Sequence, residues 1–349
     1  MSLQKTWGNF HLSALGRLIQ HGEPKDAAGL RQCIESLCTE HVALHIPSQP
    51  DNSRWQMPDL RESDLHARQV VRNIADDWRV TSYSGLQQHG QSIAQDLMPK
   101  LDVDAAGAGS VPAEPVLTPH QFPRGASPGT FLHSLFEELD FTQPVSEEWV
   151  LKMLQSGGYD VQWQPVLTDW IRAVLHAPLT TQGISLNQLT AKDKQVEMEF
   201  YLPISQPLMA SQLDALIRQY DPLSVDTPTL DFRQVRGMLK GFIDLTFEHA
   251  GRWYILDYKS NWLGPTAAHY GAERLEQAIA AEHYHLQYLI YLVALRRFLR
   301  TRLAGFSDEQ LGGAWYLFLR GMPAAGVYFA RPSDALLDAL DRLFAEGAQ

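Results

Sequence analysis

The segment that most restricts this chain is a long apolar hairpin carrying charges in its middle, "QVRGMLKGFIDLTFEHAGRWYILDYKS", residues 234–260. On an extended chain alternate side chains share a face. Trp253, Ile255, Asp257 and Lys259 therefore point one way, and Tyr254, Leu256 and Tyr258 the other. A carboxylate and an ammonium then stand side by side at the end of a buried strand. Taken alone, Asp257 and Lys259 fit a partly exposed ion pair where a strand leaves the core, a common and weak feature. Asp244, in "GFIDLTF", poses the same problem on the preceding strand. A two-residue turn at Ala250–Gly251 puts Asp244 opposite Asp257, with their Cβ atoms about 5 Å apart. A three-residue loop, 249–251, puts them on opposite faces unless a bulge intervenes. Ala-Gly is a weaker two-residue signal than Asn-Gly, so both registers stay open. If the acids do face each other, a positive group must lie between them, either Lys259 or, better, a hard divalent cation. Two carboxylates and a nearby ammonium are what metal-assisted phosphodiester hydrolysis needs.

The rest of the chain sets the frame. Its 349 residues, 45% hydrophobic, suffice for two domains or one large α/β domain with extensions. A net charge of −11 argues against gripping nucleic acid by overall electrostatics but leaves room for a local basic channel. No run approaches the roughly 18 apolar residues of a membrane helix, and "MSLQKTWGNFHLSALGRL" lacks the pattern of a secretory leader, so a cytoplasmic location is expected. Cys33 and Cys38, spaced C-x4-C, match neither a redox pair nor a zinc knuckle. "HVALHIP", 41–47, reads as a strand, and "DDWRVTSYSGLQQHG" as a short strand entering a helix. Residues 101–129, rich in Ala, Gly and Pro, read as a linker. Beyond it the pattern predicts helices near 130–139, 145–156 and 165–175, then strands alternating with helices. The class is α/β with a mixed sheet. Without a G-x-x-x-x-G-K-[ST] the chain has no phosphate-cradling loop of that type, so no ATP-driven unwinding is expected of it.

"VRGMLKGFIDL", "YILDYKSNWLG" and "YHLQYLIYL", together with "FPRGASPGTFLHSLFEELDF" and "QVEMEFYLPIS", closely resemble the RecB-type nuclease domains of the PD-(D/E)XK superfamily. The resemblance implies a restriction-endonuclease-like core, a central mixed sheet flanked by helices, over residues 111–349. It also implies a strand, helix and linker over 76–110, and a mainly helical remainder of a helicase portion over 1–75. The implied activity is that of a Mg2+-dependent exodeoxyribonuclease, with Mn2+ or Ca2+ able to occupy the same site. DNA, RecC and RecD subunits and helicase domains are the implied partners, and no membrane is. Gly129 and His133 take the family's G-x-x-x-H, with His133, Asp244, Asp257 and the Tyr258 carbonyl as metal ligands. Thr130 would cap that helix, placing His133 in its first turn, where the positive helix end favours a neutral imidazole. Lys259 takes the catalytic lysine position. Glu197 is expected to orient the attacking water, with Glu199, on the same face, as the alternative. Gln287 and Tyr291 match Q-x-x-x-Y, Gln287 reaching the active site or the DNA backbone; core packing is the other reading of Tyr291. Arg236 and Lys240 are the candidates for phosphate contact. Arg296, Arg297, Arg300 and Arg302 read as a solvated cluster suited to a helix C-terminus. The alternative function is a catalytically silent nuclease fold that binds DNA or partner subunits.

Overall fold

In a computed structural model of the chain, residues 10–45, 78–87, 117–179, 183–225 and 227–346 are described. Two compact units divide at Arg72 and Asn73. In the first, α1 (Ala14–Gln20) and α2 (Ala27–Glu35) are capped by the side chains of Ser13 and Asp26, each accepting an N–H of the first turn. The strand expected at 41–47 is reduced, over its described residues, to an isolated bridge between Thr39 and Val42. Cys33 and Cys38 are free thiols. Among the described residues no helix is long and apolar enough to cross a membrane.

The second unit runs β1 (Arg79–Thr81), α3 (Tyr83–Gln87), α4 (Ala126–Glu138), α5 (Glu147–Gly157), α6 (Gln164–His176), β2 (Lys194–Leu208) and α7 (Ala210–Tyr220). It continues with β3 (Val235–His249), β4 (Arg252–Lys259), α8 (Ala272–Ala281), α9 (Tyr284–Arg302), β5 (Leu311–Phe318), β6 (Val327–Ala330) and α10 (Asp334–Glu346). The six strands form one mixed sheet, ordered β1-β3-β4-β5-β6, with β2 along the other edge of β3. One face is covered by a core including Leu213 of α7, Leu275 of α8, Leu292 of α9 and Leu340 of α10, the other by Leu132, Leu135, Val150 and Ile171 of α4 to α6. This three-layer α/β architecture is the expected class.

The hairpin closes through two residues. His249 pairs with Arg252, and both turn residues have positive φ, 52° at Ala250 and 78° at Gly251. That is the conformation whose twist matches the flanking strands. The ladder runs only as far as Leu245–Leu256, and Asp244 is paired in none of the three ladders of β3. β1 and β4 share one edge of β3, β1 against 237–239 and β4 against 245–249. β1 comes so close that a Cβ on Gly237 would lie 2.0 Å from the Arg79 carbonyl oxygen, which only glycine permits. Asp244 sits at the end of the gap between β1 and β4, where the β3 backbone is open.

A second irregularity lies directly across. Odd-numbered residues of a regular strand share a face, yet Leu239 and Ile243 belong to the core under α9, and Leu245 and Phe247 to the opposite core. On β2 the same slip separates Met198 from Val196. The residue in between, Glu197, has φ 48° and stands where the register would place the partner of Asp244. Both strands thus break alternation at one level, and both carry an acid there.

Two expectations are corrected here. α4 begins at Ala126, not Thr130, so Thr130 is internal, its Oγ1 bonding the Ala126 carbonyl at 3.0 Å, and His133 lies two turns in, away from the positive end. "GASPG" reads as a linker by composition, but a proline in the first turn forfeits only an N–H that has no helical partner. Of the four arginines of α9 read as a solvated cluster, Arg300 and Arg302 are exposed as expected, but the others are not. Arg296 is buried and pairs with Asp308 and Asp338, Arg297 pairs with Asp341, and Arg300 reaches Asp308, tying α9 to α10 and to the approach to β5.

Candidate active site

β4 delivers Asp257 and Lys259 onto the face covered by α9, as alternation requires. Lys259 is 1% exposed. Its Nζ donates to Asp257 Oδ1 at 2.8 Å and to Gln287 Oε1 at 2.8 Å, and lies 3.9 Å from the centre of the Tyr284 ring. Burying an ammonium this deeply is tolerable only with such partners. Gln287 completes the circuit, its Nε2 donating to Asp257 Oδ2 at 3.1 Å and to the Tyr291 hydroxyl at 3.2 Å. Positions 284, 287 and 291 fall on one side of α9, which brings the three side chains to the sheet together.

Asp244 anchors a second group. Its Oδ2 accepts the Tyr258 amide N–H at 2.8 Å and lies 3.3 Å from Nδ1 of buried His133. The Tyr258 ring stacks on Phe136 and meets His133 edge-on, which locks α4 against β4. Burial first, then the charges of Asp244 and Glu137, push the Glu197 carboxyl up to about 7. Glu137 is raised by burial and by Asp244. Negative charge is therefore gathered here from three elements, α4, β2 and β3.

Arg320, buried just after β5, joins the parts. It donates to the carbonyls of Ser260 at 2.8 Å, Phe122 at 2.9 Å and Pro123 at 2.7 Å. One guanidinium thus ties the end of β4 to the chain entering α4, using the fixed fork of donors a lysine lacks.

Among the described residues no three His, Cys, Asp or Glu side chains form a group that could hold a metal ion as they stand. His133 meets Asp244, while Asp257 meets Lys259 and Gln287, so the expected ligands fall into two adjoining groups. The donor types nonetheless fit a hard divalent cation, being carboxylate oxygens and one imidazole. A carboxyl raised to about 7 by burial first and by its acidic neighbours second marks a buried negative charge that such a cation would relieve.

A profile of the PD-(D/E)XK nuclease superfamily matches residues 111–349. The chain belongs to the PD-(D/E)XK nuclease superfamily. It is 60% identical over 340 residues to the RecBCD enzyme subunit RecB of Escherichia coli (strain K12), covering 96% of this chain and 29% of that protein. The subunits of the same name from Haemophilus influenzae and Mycolicibacterium smegmatis are 31% and 30% identical, covering 97% and 77% of this chain and 30% and 28% of theirs. The chain spans a little under a third of the length of these relatives.

Other site candidates settle differently in this PD-(D/E)XK chain. Glu199, expected on the same face as Glu197, is exposed and held 2.8 Å from Lys240, because the positive φ at Glu197 turns the two glutamates apart. Lys240, expected to touch phosphate, is engaged by that pair and lies over the Tyr201 and Phe242 rings. Arg236 is half-buried on β3. Tyr291 is buried against Phe200 and bonded to Gln287, as the core-packing reading describes. Gln287 is likewise buried, and its amide meets Asp257 and Lys259. Sequence reasoning passed over Glu137, Tyr284, Tyr316 and Arg320. Glu137 follows His133 at i+4 on one helix face, a spacing that was there to be read.

Proposed function

We propose that this chain is a divalent-cation-dependent nuclease module that hydrolyses phosphodiester bonds of single- and double-stranded DNA. Mg2+ is the working ion, and Mn2+ or Ca2+ takes the same place. The observation that carries the reading is the buried Asp257–Lys259–Gln287 circuit set beside Asp244, His133 and the raised carboxyl of Glu197. His133, Asp244, Asp257 and the Tyr258 carbonyl would hold the cation, with Glu137 and Glu197 adjacent. When bound, the cation supplies charge neutralisation at the phosphate and acidifies the attacking water. The protein's own groups do the remainder. Glu197, whose carboxyl is raised by burial and the neighbouring acids and would be returned toward the ionised form by a bound cation, is the group placed to take a proton from the water. Water oxygen bonds to phosphorus, the opposite P–O ester bond breaks, and the departing alkoxide takes a proton from solvent water. The Lys259 ammonium balances charge accumulating on the phosphoryl oxygens, held in place by Asp257 and Gln287.

In the longer proteins named RecBCD enzyme subunit RecB, this segment would act beside helicase domains and RecC and RecD subunits. The same assembly is proposed here, the module acting as a processive exonuclease on the DNA delivered to it in recombinational repair of double-strand breaks. The test uses end-labelled single- and double-stranded DNA with Mg2+, with Mn2+ and with chelator. Cleavage should require the ion, vanish in Asp257→Ala, and fall roughly 100- to 1000-fold in Lys259→Ala. DNA retained but uncut by wild type and variants alike would instead identify a silent binding fold.

A further inference from the structure

We propose that Tyr316 is a positioning residue of this active site, its hydroxyl acting through Gln287 to hold the Asp257 carboxylate and Lys259 ammonium in register. The inference rests on the nuclease reading above. Tyr316 lies on β5 directly beside Asp257 in the parallel β4–β5 ladder, so its ring rises from the sheet next to the acid. It is 1% exposed. Its one hydroxyl proton is shared between two acceptors, the Tyr284 backbone carbonyl at 2.7 Å and Gln287 Oε1 at 2.9 Å. Both acceptors are on the first turn of α9, so one phenol joins that helix to the strand layer carrying the reactive groups.

What this does to Gln287 follows from the amide's two ends. Oε1 accepts from Lys259 and Tyr316, while Nε2 donates to Asp257 and Tyr291. Turning the amide over would set its NH2 against the ammonium and its oxygen against the carboxylate. The Tyr316 proton, shared with the Tyr284 carbonyl, adds a donor on the side where the oxygen belongs and ties it to the sheet. Tyr316 also forms, with Tyr284, the aromatic surroundings of Lys259 Nζ, the two ring centres lying 5.0 and 3.9 Å away. Phenylalanine would keep those rings and the packing while deleting only the hydroxyl. The contribution of the bond is therefore separable from that of the ring.

A double-mutant cycle on the full chain tests this, with Tyr316→Phe, Gln287→Ala and the pair, each first shown to melt cooperatively. Tyr316→Phe should lower kcat for Mg2+-dependent cleavage about tenfold with KM for DNA unchanged. In the Gln287→Ala background it should change kcat by less than about twofold, because the route to Asp257 and Lys259 is gone. The Asp257-dependent affinity for Mn2+, followed by calorimetry in the same four proteins, should show the same non-additivity and needs no turnover. An equal loss in both backgrounds, or an unchanged kcat and Mn2+ affinity in Tyr316→Phe alone, overturns the proposal. If the unaltered chain neither cleaves DNA nor binds Mn2+ through Asp257, the nuclease reading fails first and this inference with it.

Discussion

Glu197→Gln isolates the electrostatic cost that the site imposes on the fold. Glutamine has the shape and neutrality of the protonated acid, so it removes the charge with little change in volume. A rise in the folded-state value from 4.5 to about 7 corresponds, at ~1.4 kcal/mol per pH unit, to a ceiling of roughly 3 kcal/mol of destabilisation above pH 7. The side chain is only about half buried, and solvent screening brings the expected figure to about 1–2 kcal/mol. The sign follows from linkage. The folded state holds its proton to higher pH than the unfolded state, so the wild type loses stability as pH rises from about 4.5 to about 7 and is not penalised below that window. Glu197→Gln should therefore match wild type at pH 4.5 and exceed it by ~1–2 kcal/mol at pH 8 with chelator present, as read by urea unfolding. Adding Mn2+ at pH 8 should narrow the gap, because a bound cation relieves the wild-type carboxylate. A difference between the two proteins that stays constant from pH 4.5 to 8 would refute the idea that crowded negative charge raises this carboxyl.

Three further outcomes are expected. Tyr258→Phe should stabilise the protein by ~1 kcal/mol in thermal melts, since the buried phenol oxygen has no hydrogen-bond partner among the described residues while the ring keeps its stack on Phe136. Arg320→Met should cost ~3 kcal/mol or more, leaving the carbonyls of Ser260, Phe122 and Pro123 without their shared donor, and Arg320→Lys should restore only part of it. Asp308→Asn should cost about 2 kcal/mol at pH 7. Hydrogen bonding to Arg296 holds the Asp308 carboxyl below its ordinary 3.8, so the stability it adds is present above that value and is lost as pH falls through the lower folded-state value. The variant and wild type should then converge in acid, as unfolding curves between pH 7 and pH 2.5 would record.

Most of the second unit could be read from periodicity, because its strands and helices bury one face each and their spacing says so. The helical spacing of "ASQLDALIRQY" coincides with α7 residue for residue, and the apolar "GAWYLF" covers all of β5 but its first two residues. The hairpin register was legible as one of two choices; its resolution needed φ at Ala250, which composition does not reveal. What pattern reading could not supply is the departure from pattern that makes the site. Strict alternation puts Glu197 and Glu199 on one face, and only the left-handed backbone at Glu197 sends one inward beside Asp244 and leaves the other to Lys240. Likewise Lys259 and Tyr316 are 57 residues apart, and nothing local marks Tyr316 as different from any other strand aromatic. Its place beside Asp257 depends on the crossover through α8 and α9 that makes β4 and β5 parallel neighbours. Regular strands suffice to build a core, whereas gathering acids from three elements requires strands that stop being regular at a shared level. The two breaks in alternation, at Glu197 and Asp244, face each other in register. Restoring either would turn its carboxylate away from the other and disperse the charge on which the proposed cation site depends.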